Sequence, residues 1–500
     1  MGQNRTNLRL TRRSVLQSGA ALGGLIATAI PLHRAFAAAP IIKVDTRTIE
    51  VNKKAAKVFR VLGADGKSGI FAKEGDRFAG SVLNASGEPL QMHWHGQVKA
   101  PFEQDRARPD GGACAADQLD IYDFELTPGT HWMHAHTLSE QQMLAAPMIT
   151  REKDAGDVQD VVVMLHDFAF RSPQEILAEL GGTNAHAGHG AVQSPAPMSG
   201  GAAPMQHGAG MHMMPGQGGS GHMMGGSGMG MGMIHANDVR YDAYLANDRT
   251  FDDPDTVNVE KGGRVRLRII NGGTATAFFI STPGLVSRAV AVDGMPCQPA
   301  QAAAYPIAQG QRIDLLVEIP KEGGAFPILV QVEDSQQVTG IVLATSGAAI
   351  AKLSAFGGKK QGMLDLSFET ALKAANPLVE KRPDKSFVVL LGEEPGYRWT
   401  INGRVHGEHQ PFEVKQGERV EMTFMNPTMM MHPMHLHGHH FQVVAIGGRR
   451  MSGAVRDTLI VPAHAPITIA FDANLKGSWF LHCHHLYHMA TGMMTELRVV

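Results

Sequence analysis

Near its C-terminus the chain reads His482-Cys483-His484-His485-Leu486-Tyr487-His488-Met489-Ala490-Thr491-Gly492-Met493-Met494. The residues just before it, Gly477-Ser478-Trp479-Phe480-Leu481, read as a β-strand, on which successive side chains point to opposite faces. His482 and His484 then face one way and Cys483 the other. A thiolate joined by two imidazoles and a weak thioether is the ligand set of a blue-copper electron-transfer centre, and His488 and Met493 follow Cys483 at spacings a strand-to-turn segment folds back. One short strand therefore serves two metal centres back to back. An electron arriving at Cys483 crosses one residue of backbone to reach whatever His482 and His484 hold.

Three more His-x-His pairs stand elsewhere: His93 and His95, His134 and His136, His435 and His437. On a strand each pair shares a face, so with His482 and His484 there are eight imidazoles in four matched pairs. His432, upstream of the third pair, is left over and is the natural second imidazole for Cys483. Eight histidines suit three coppers ligated by two, three and three, while Cys483, His432, His488 and Met493 make a fourth site. Structural zinc sites favour more cysteine and single four-ligand sets, which this arrangement exceeds.

These four segments resemble the four copper motifs of the multicopper oxidases, the family of laccases and bacterial copper-resistance oxidases. The resemblance implies one type 1, one type 2 and two type 3 coppers. Carried over by motif position, His93 and His435 hold the type 2 copper. His95, His134 and His484 hold one type 3 copper, and His136, His437 and His482 the other. The type 1 site is Cys483, His432 and His488 with Met493 as axial ligand, and no ligand position is missing. The family's chemistry then runs from a reductant at the surface of the third domain, through Cys483, to dioxygen, which is reduced to water after four electron deliveries. An acid beside the cluster is expected to supply protons. Asp105 stands near the family's offset after His95, where glycine usually follows; here Arg106 follows and Asp110-Gly111 lies five residues on, so Asp105 is the first candidate and Asp110 the second. Many members place glutamates around the last histidine of the final motif. Tyr487 and Met489 flank His488 here, a pattern that resembles the copper-resistance oxidases more than the fungal laccases. His131, His166, His439, His440 and His485 have no unfilled ligand role and are expected to be hydrogen-bonded or exposed.

Positioning these residues takes most of the chain. A length of 500 residues suggests about three domains, and a net charge of −2 argues against a nucleic-acid partner. Residues 75–84, 262–271 and 417–426 are repeats that share Gly, Arg two later and Asn nine later. The last two alternate as half-buried strands opened by a turn glycine. His93 and His95 stand nine and eleven residues beyond Asn84, and His435 and His437 stand at the same offsets beyond Asn426. Ile280 and Thr282 stand there in the middle copy. Hence the outer domains supply equivalent ligand pairs, the middle one supplies none, and a shared cluster belongs at the interface of the outer two.

Frequent turn residues and short alternating runs argue β-sandwiches, with helices expected only at 174–180 and about 370–376. The resemblance sharpens this to an all-β chain of three cupredoxin-like, Greek-key domains at about 39–170, 236–350 and 385–500, with a long connection at 351–384. Residues 181–235 are an insertion of Gly, Ala, Met, His, Ser and Pro with ten methionines from Met198 to Met233 and six histidines from His186 to His235. It cannot bury a core and is expected to be disordered. Because thioethers favour Cu(I) and imidazoles accept Cu(II), it reads as a tether that gathers extra copper, against the plainer reading of a low-complexity linker. Met429-Met430-Met431 before His432 either adds to this or shields the type 1 site from water.

Arg12-Arg13, an apolar run to Ile30 and Ala35-Phe36-Ala37 read as a twin-arginine (Tat) export signal over 1–37, so the mature protein is expected in the periplasm without a stable membrane anchor. Cys114 and Cys297 form one disulfide or remain two buried thiols. The function expected from all this is oxidation of a reductant, cuprous ion or phenolic compounds, coupled to dioxygen reduction by a monomer in copper tolerance. The alternative is a copper-sequestering periplasmic binding protein with little oxidase activity. A ligand-free structural relative and a two-domain nitrite reductase both fit the ligand set poorly.

Overall fold

The computed structural model describes residues 41–182 and 236–500. The twin-arginine signal and all but the first two residues of the insertion lie outside the described residues. Among the described residues strands dominate and form six sheets, of four, four, six, five, seven and five strands. They face each other in pairs around three apolar cores. Val44, Phe78 and Phe124 from one sheet meet Met92, Met133 and Met148 from the other in the first core. The second is built around Leu267, Leu315, Ile328 and Leu343, and the third around Val389, Phe424, Leu436, Ile469 and Leu481.

Each sequence repeat is a strand: Arg77–Asn84, Arg264–Asn271 and Arg419–Met425. Each pairs in parallel with an earlier strand, respectively Ile41–Val51, Gln159–Phe168 and Lys385–Glu394. The repeated asparagine explains the motif. Asn84 Nδ2 donates to the carbonyls of Glu88 and Cys114 at 2.8 and 3.0 Å, and its Oδ1 accepts from Ser86 N at 3.1 Å. Asn271 does the same with Thr276, Ile307 and Gly273, and Asn426 with Met430, Val461 and Thr428. In each unit one buried amide ties the end of the strand to the loop that leads onward, adding hydrogen bonds to backbone groups at both places.

Residues 159–168, placed by the sequence with the first unit, join the second. Their strand is the counterpart of Ile41–Val51, and pairing with Arg264–Asn271 fixes it there. The helix expected at 174–180 spans Pro173–Gly182, started by a capping box in which Ser172 Oγ accepts from Glu175 N and Glu175 Oε2 accepts from Ser172 N. The helix expected at 370–376 lies earlier, at Ser367–Ala371. Residues 373–375 are drawn out of it, because Lys373 O accepts from Gln298 N and Ala374 bridges Cys297. This connection is not merely external: Phe368 and Leu372 pack in the second core, and Glu369 pairs with buried Arg456 at 2.9 Å. Cys114 and Cys297 are separate buried thiols, which settles the alternatives against a disulfide. No helix among the described residues is long and apolar enough to cross a membrane.

Candidate metal centre

The strand Gly477–Cys483 lies antiparallel to His432–Leu436, with Met434 opposite Cys483 and His435 opposite His482. The short helix Leu486–Ala490 then turns the chain back and returns His488 to Cys483. Cys483 Sγ is 3.7 Å from His432 Nδ1 and 3.8 Å from His488 Nδ1, and the two nitrogens are 3.2 Å apart. All three residues are fully buried, as is Met493, which packs in the same core and accepts from the Cys483 amide at 3.0 Å. Burial pushes the Cys483 thiol above the usual thiol range, so a bound cation is what draws out the thiolate.

On the opposite face the four His-x-His pairs converge. His93 Nε2 lies 3.2 Å from His435 Nε2, while His482 Nε2 lies 3.2 Å from His136 Nε2 and 3.0 Å from His437 Nε2. His95 Nδ1, His134 Nε2 and His484 Nε2 are buried without any hydrogen-bond partner. Burial first, and then repulsion from neighbouring imidazoles, holds His93, His136, His437, His482 and His484 well below the ordinary histidine range. Neutral imidazoles whose lone pairs face each other or nothing are poor packing and good metal ligands. The donor set therefore fits copper ions at both centres.

The outer ring nitrogens are tethered. His93 Nδ1 lies 2.7 Å from Asp105 Oδ2, and His435 Nδ1 donates to Asp457 O at 2.8 Å. His482 Nδ1 donates to Cys483 O at 2.9 Å, and His134 Nδ1 lies 3.0 Å from Ala135 O and 3.1 Å from Glu140 Oε2. His95 is reversed, presenting Nε2 to Asp457 Oδ1 at 3.1 Å and keeping Nδ1 for the cluster. Such partners fix the tautomer and the direction of the free lone pair.

Three family models described as multicopper oxidase match residues 43–154, 196–350 and 379–500. Multicopper oxidase MmcO of Mycobacterium tuberculosis is 31% identical over 438 residues, 86% of this chain and 80% of the relative. The chain belongs to the multicopper oxidases. Copper resistance protein A of Escherichia coli is 24% identical over 536 residues, covering 85% of this chain and 87% of the relative. Among solved structures, Fet3p, titled a multicopper oxidase that functions in iron import, superposes with TM-score 0.71 at 16% identity over 92% of this chain and 90% of its own. The laccase from Botrytis aclada gives 0.69 at 20% identity over 92% and 87%. Those two establish the fold. Members of the family bind four coppers, and the chain is a copper-dependent oxidoreductase that uses dioxygen.

Of the two acids expected beside the cluster, the oxidase brings in one. Asp105 is buried against His93, and burial pushes its carboxyl up to about 8 although Ala107 N donates to it at 2.9 Å. Asp110 is 78% exposed and paired with Arg108 at 3.0 Å, away from the cluster. Two acids were missed. Glu140, raised by burial, stands four residues after His136 in Leu138-Ser139-Glu140-Gln141-Gln142, where a lone charge after a ligand pair was a usable signal. Asp457 had none, because its links to His95 and Arg312 span 362 and 145 positions. Burial pushes Asp457 up, but fully buried Arg312, at 2.6 and 2.7 Å, outweighs it and keeps the carboxylate ionised.

His488, expected as a type 1 ligand, is covered. The His488 ring is sandwiched between His485 at 3.7 Å and Trp399 at 3.9 Å between centroids. Its Nε2 is 3.4 Å from Asp238 Oδ2, which also accepts from the Tyr397 hydroxyl, and Asp238 Oδ1 is 3.1 Å from His485 Nε2. Met430 and Met431 are buried in the apolar packing, which favours shielding over metal capture for that trio. Of the other histidines without a ligand role, His131, His166 and His439 are buried too and meet Pro128 O at 3.0 Å, Gly272 O at 3.2 Å and His437 O at 3.2 Å, while half-buried His440 stands with Nε2 3.8 Å from Asp457.

Proposed function

We propose that the oxidase takes its electrons from cuprous ion, in the periplasm, as part of copper tolerance. A type 1 copper would be held by Cys483, His432, His488 and Met493, a type 2 copper by His93 and His435, and a type 3 pair by His95, His134 and His484 and by His136, His437 and His482. When bound, the coppers supply single-electron storage and the reduction of dioxygen to water. The chain supplies the path and the protons. His482 and His484 join Cys483 through one peptide each, so one strand links both centres covalently. Asp105 and Glu140 are the carboxyls beside the cluster whose hold on a proton burial strengthens, and Arg312 keeps Asp457 ionised where His95 needs an acceptor.

The observation that carries the choice of donor is where the insertion is rooted. Its leading helix, Pro173–Gly182, places Ile176 and Leu180 in the same core as Tyr397, Trp399, Cys483 and Met489. Three residues after its last histidine, His235, comes Asp238, whose carboxylate abuts His488. The trailing end of a segment rich in Cu(I) ligands thus meets His488 while its leading helix packs in the surrounding core, and the group waiting there is an anion, which suits a cationic donor better than a neutral phenol. Extra copper on the insertion follows from the same reading. The twin-arginine signal of residues 1–37 supports export.

Oxygen uptake by the copper-loaded protein, supplied with cuprous ion or with a simple phenol, tests this. Replacing the Met and His of 183–235 by serine is expected to lower the cuprous rate selectively. Equal rates in both proteins, with phenol the better donor, would sink the proposal.

A further inference from the structure

Outside the two copper centres a second group of metal-type ligands lies together on the third unit. The sequence His406-Gly407-Glu408-His409 folds as a tight turn in which Glu408 N donates to Val405 O at 3.0 Å and Gly407 takes φ +90. That conformation suits glycine at the third position of a type II turn. The turn sets the two histidines side by side, with ring centroids 5.1 Å apart. Ligand pairs within the copper centres have the same spacing: His432 and His488 are 5.1 Å apart, as are His437 and His482. His409 Nε2 faces Glu496 Oε1 at 3.1 Å. The carboxylate is itself held, since its Oε2 accepts from Ser478 Oγ at 2.5 Å and lies 3.5 Å from Arg498.

We infer that His406, His409 and Glu496 form a binding site for one divalent ion of borderline softness, Cu(II) or Zn(II), distinct from the four coppers. Two imidazoles and a carboxylate are a ligand set such ions take, with water completing the shell. His406 is exposed, so its ring, now within 11° of parallel to that of His409, is free to turn its lone pair toward the ion. Coordination at His409 Nε2 moves the ring proton to Nδ1 and gives up the exposed 3.1 Å contact from Gly407 N. Arg498 has an alternative partner in Glu413 at 3.1 Å and can leave Glu496 to the ion.

The site also has a defined place. Glu496 and Phe480 are cross-strand partners, so their side chains share a face. The Phe480 ring lies 5.6 Å from His406 on one side and 5.6 Å from His136 on the other. An ion held here is therefore separated from a histidine of the cluster by a single aromatic ring.

The test is equilibrium dialysis of the copper-loaded full chain against low-micromolar Zn(II), with His406→Ala/His409→Ala as the comparison. Zinc binding elsewhere, including the insertion, is common to both proteins, so the expected result is one zinc fewer per chain in the double variant. Glu496→Gln is expected to keep that zinc but weaken it by about tenfold. The blue absorption of Cys483 and oxygen uptake serve as folding controls. If the double variant loses the controls, exposed His406→Ala alone is used, with the same loss expected. Equal zinc counts in a folded variant would overturn the site.

Discussion

At the scale of single residues, buried carboxyls differ in what they do. Asp105 touches a cluster histidine and holds a proton that burial favours. Asp105→Asn is expected to slow dioxygen reduction by about 100-fold with the blue absorption intact, while Asp110→Asn leaves turnover unchanged. Single-turnover reoxidation of the reduced protein separates the two. Glu333 is a structural counterpart. Burial pushes its carboxyl up to about 7, above the ordinary 4.5, although Leu364 N donates to Oε1 at 2.6 Å, and Oε2 has no partner. The folded state keeps this proton where the unfolded chain has lost it, so the stabilising contribution is complete below about pH 4.5 and lost as pH rises through about 7. Glu333→Gln should flatten that dependence, gaining up to about 3 kcal/mol over wild type at pH 8 relative to pH 5 in chemical unfolding.

At the scale of elements, the repeated asparagine is the device that makes three strands equivalent. Asn271→Ala removes two buried amide bonds to Thr276 and Ile307 and the acceptor for Gly273 N. It should cost about 2–4 kcal/mol in thermal unfolding without changing the copper content, because the middle unit carries none of the proposed ligands. That pattern was legible because it is local: Gly, Arg and Asn at fixed offsets, and His93 and His95 at the same distance from Asn84 as His435 and His437 from Asn426. Local spacing on a strand face is also why the ligand pairs could be read. Residues 159–168 were harder, since the strand's identity depends on a parallel partner a hundred residues on, and the end of the helix at Ala371 depends on a bridge to Cys297. Asp238 and Trp399 illustrate the same limit at the site. Neither stands near His488 in sequence: Trp399 stacks on its ring only in the packed third unit, and Asp238 reaches its Nε2 from 250 positions away.

At the scale of the molecule, the proposed trinuclear cluster is a joint. His93, His95, His134 and His136 come from the first unit and His435, His437, His482 and His484 from the third, so closing the two units and building the site are one event. The middle unit serves this by gripping both. Arg312 donates to Thr130 O at 3.1 Å in the first unit and to both oxygens of Asp457 in the third. Arg312→Met leaves Asp457 buried without its cation, and should cost about 3–5 kcal/mol with loss of type 2 and type 3 copper before type 1. Metal analysis with electron paramagnetic resonance reads that order directly. The central claim concerns the whole assembly: electrons enter from cuprous ion at the covered type 1 site and leave to dioxygen at the joint. The measurement that tests it most directly is the ratio of cuprous ion consumed to dioxygen consumed, in wild type and in Cys483→Ser. Four to one in wild type with no uptake above background in the variant is the predicted result; uptake that survives loss of Cys483, or copper bound in wild type without oxygen consumed, would contradict it.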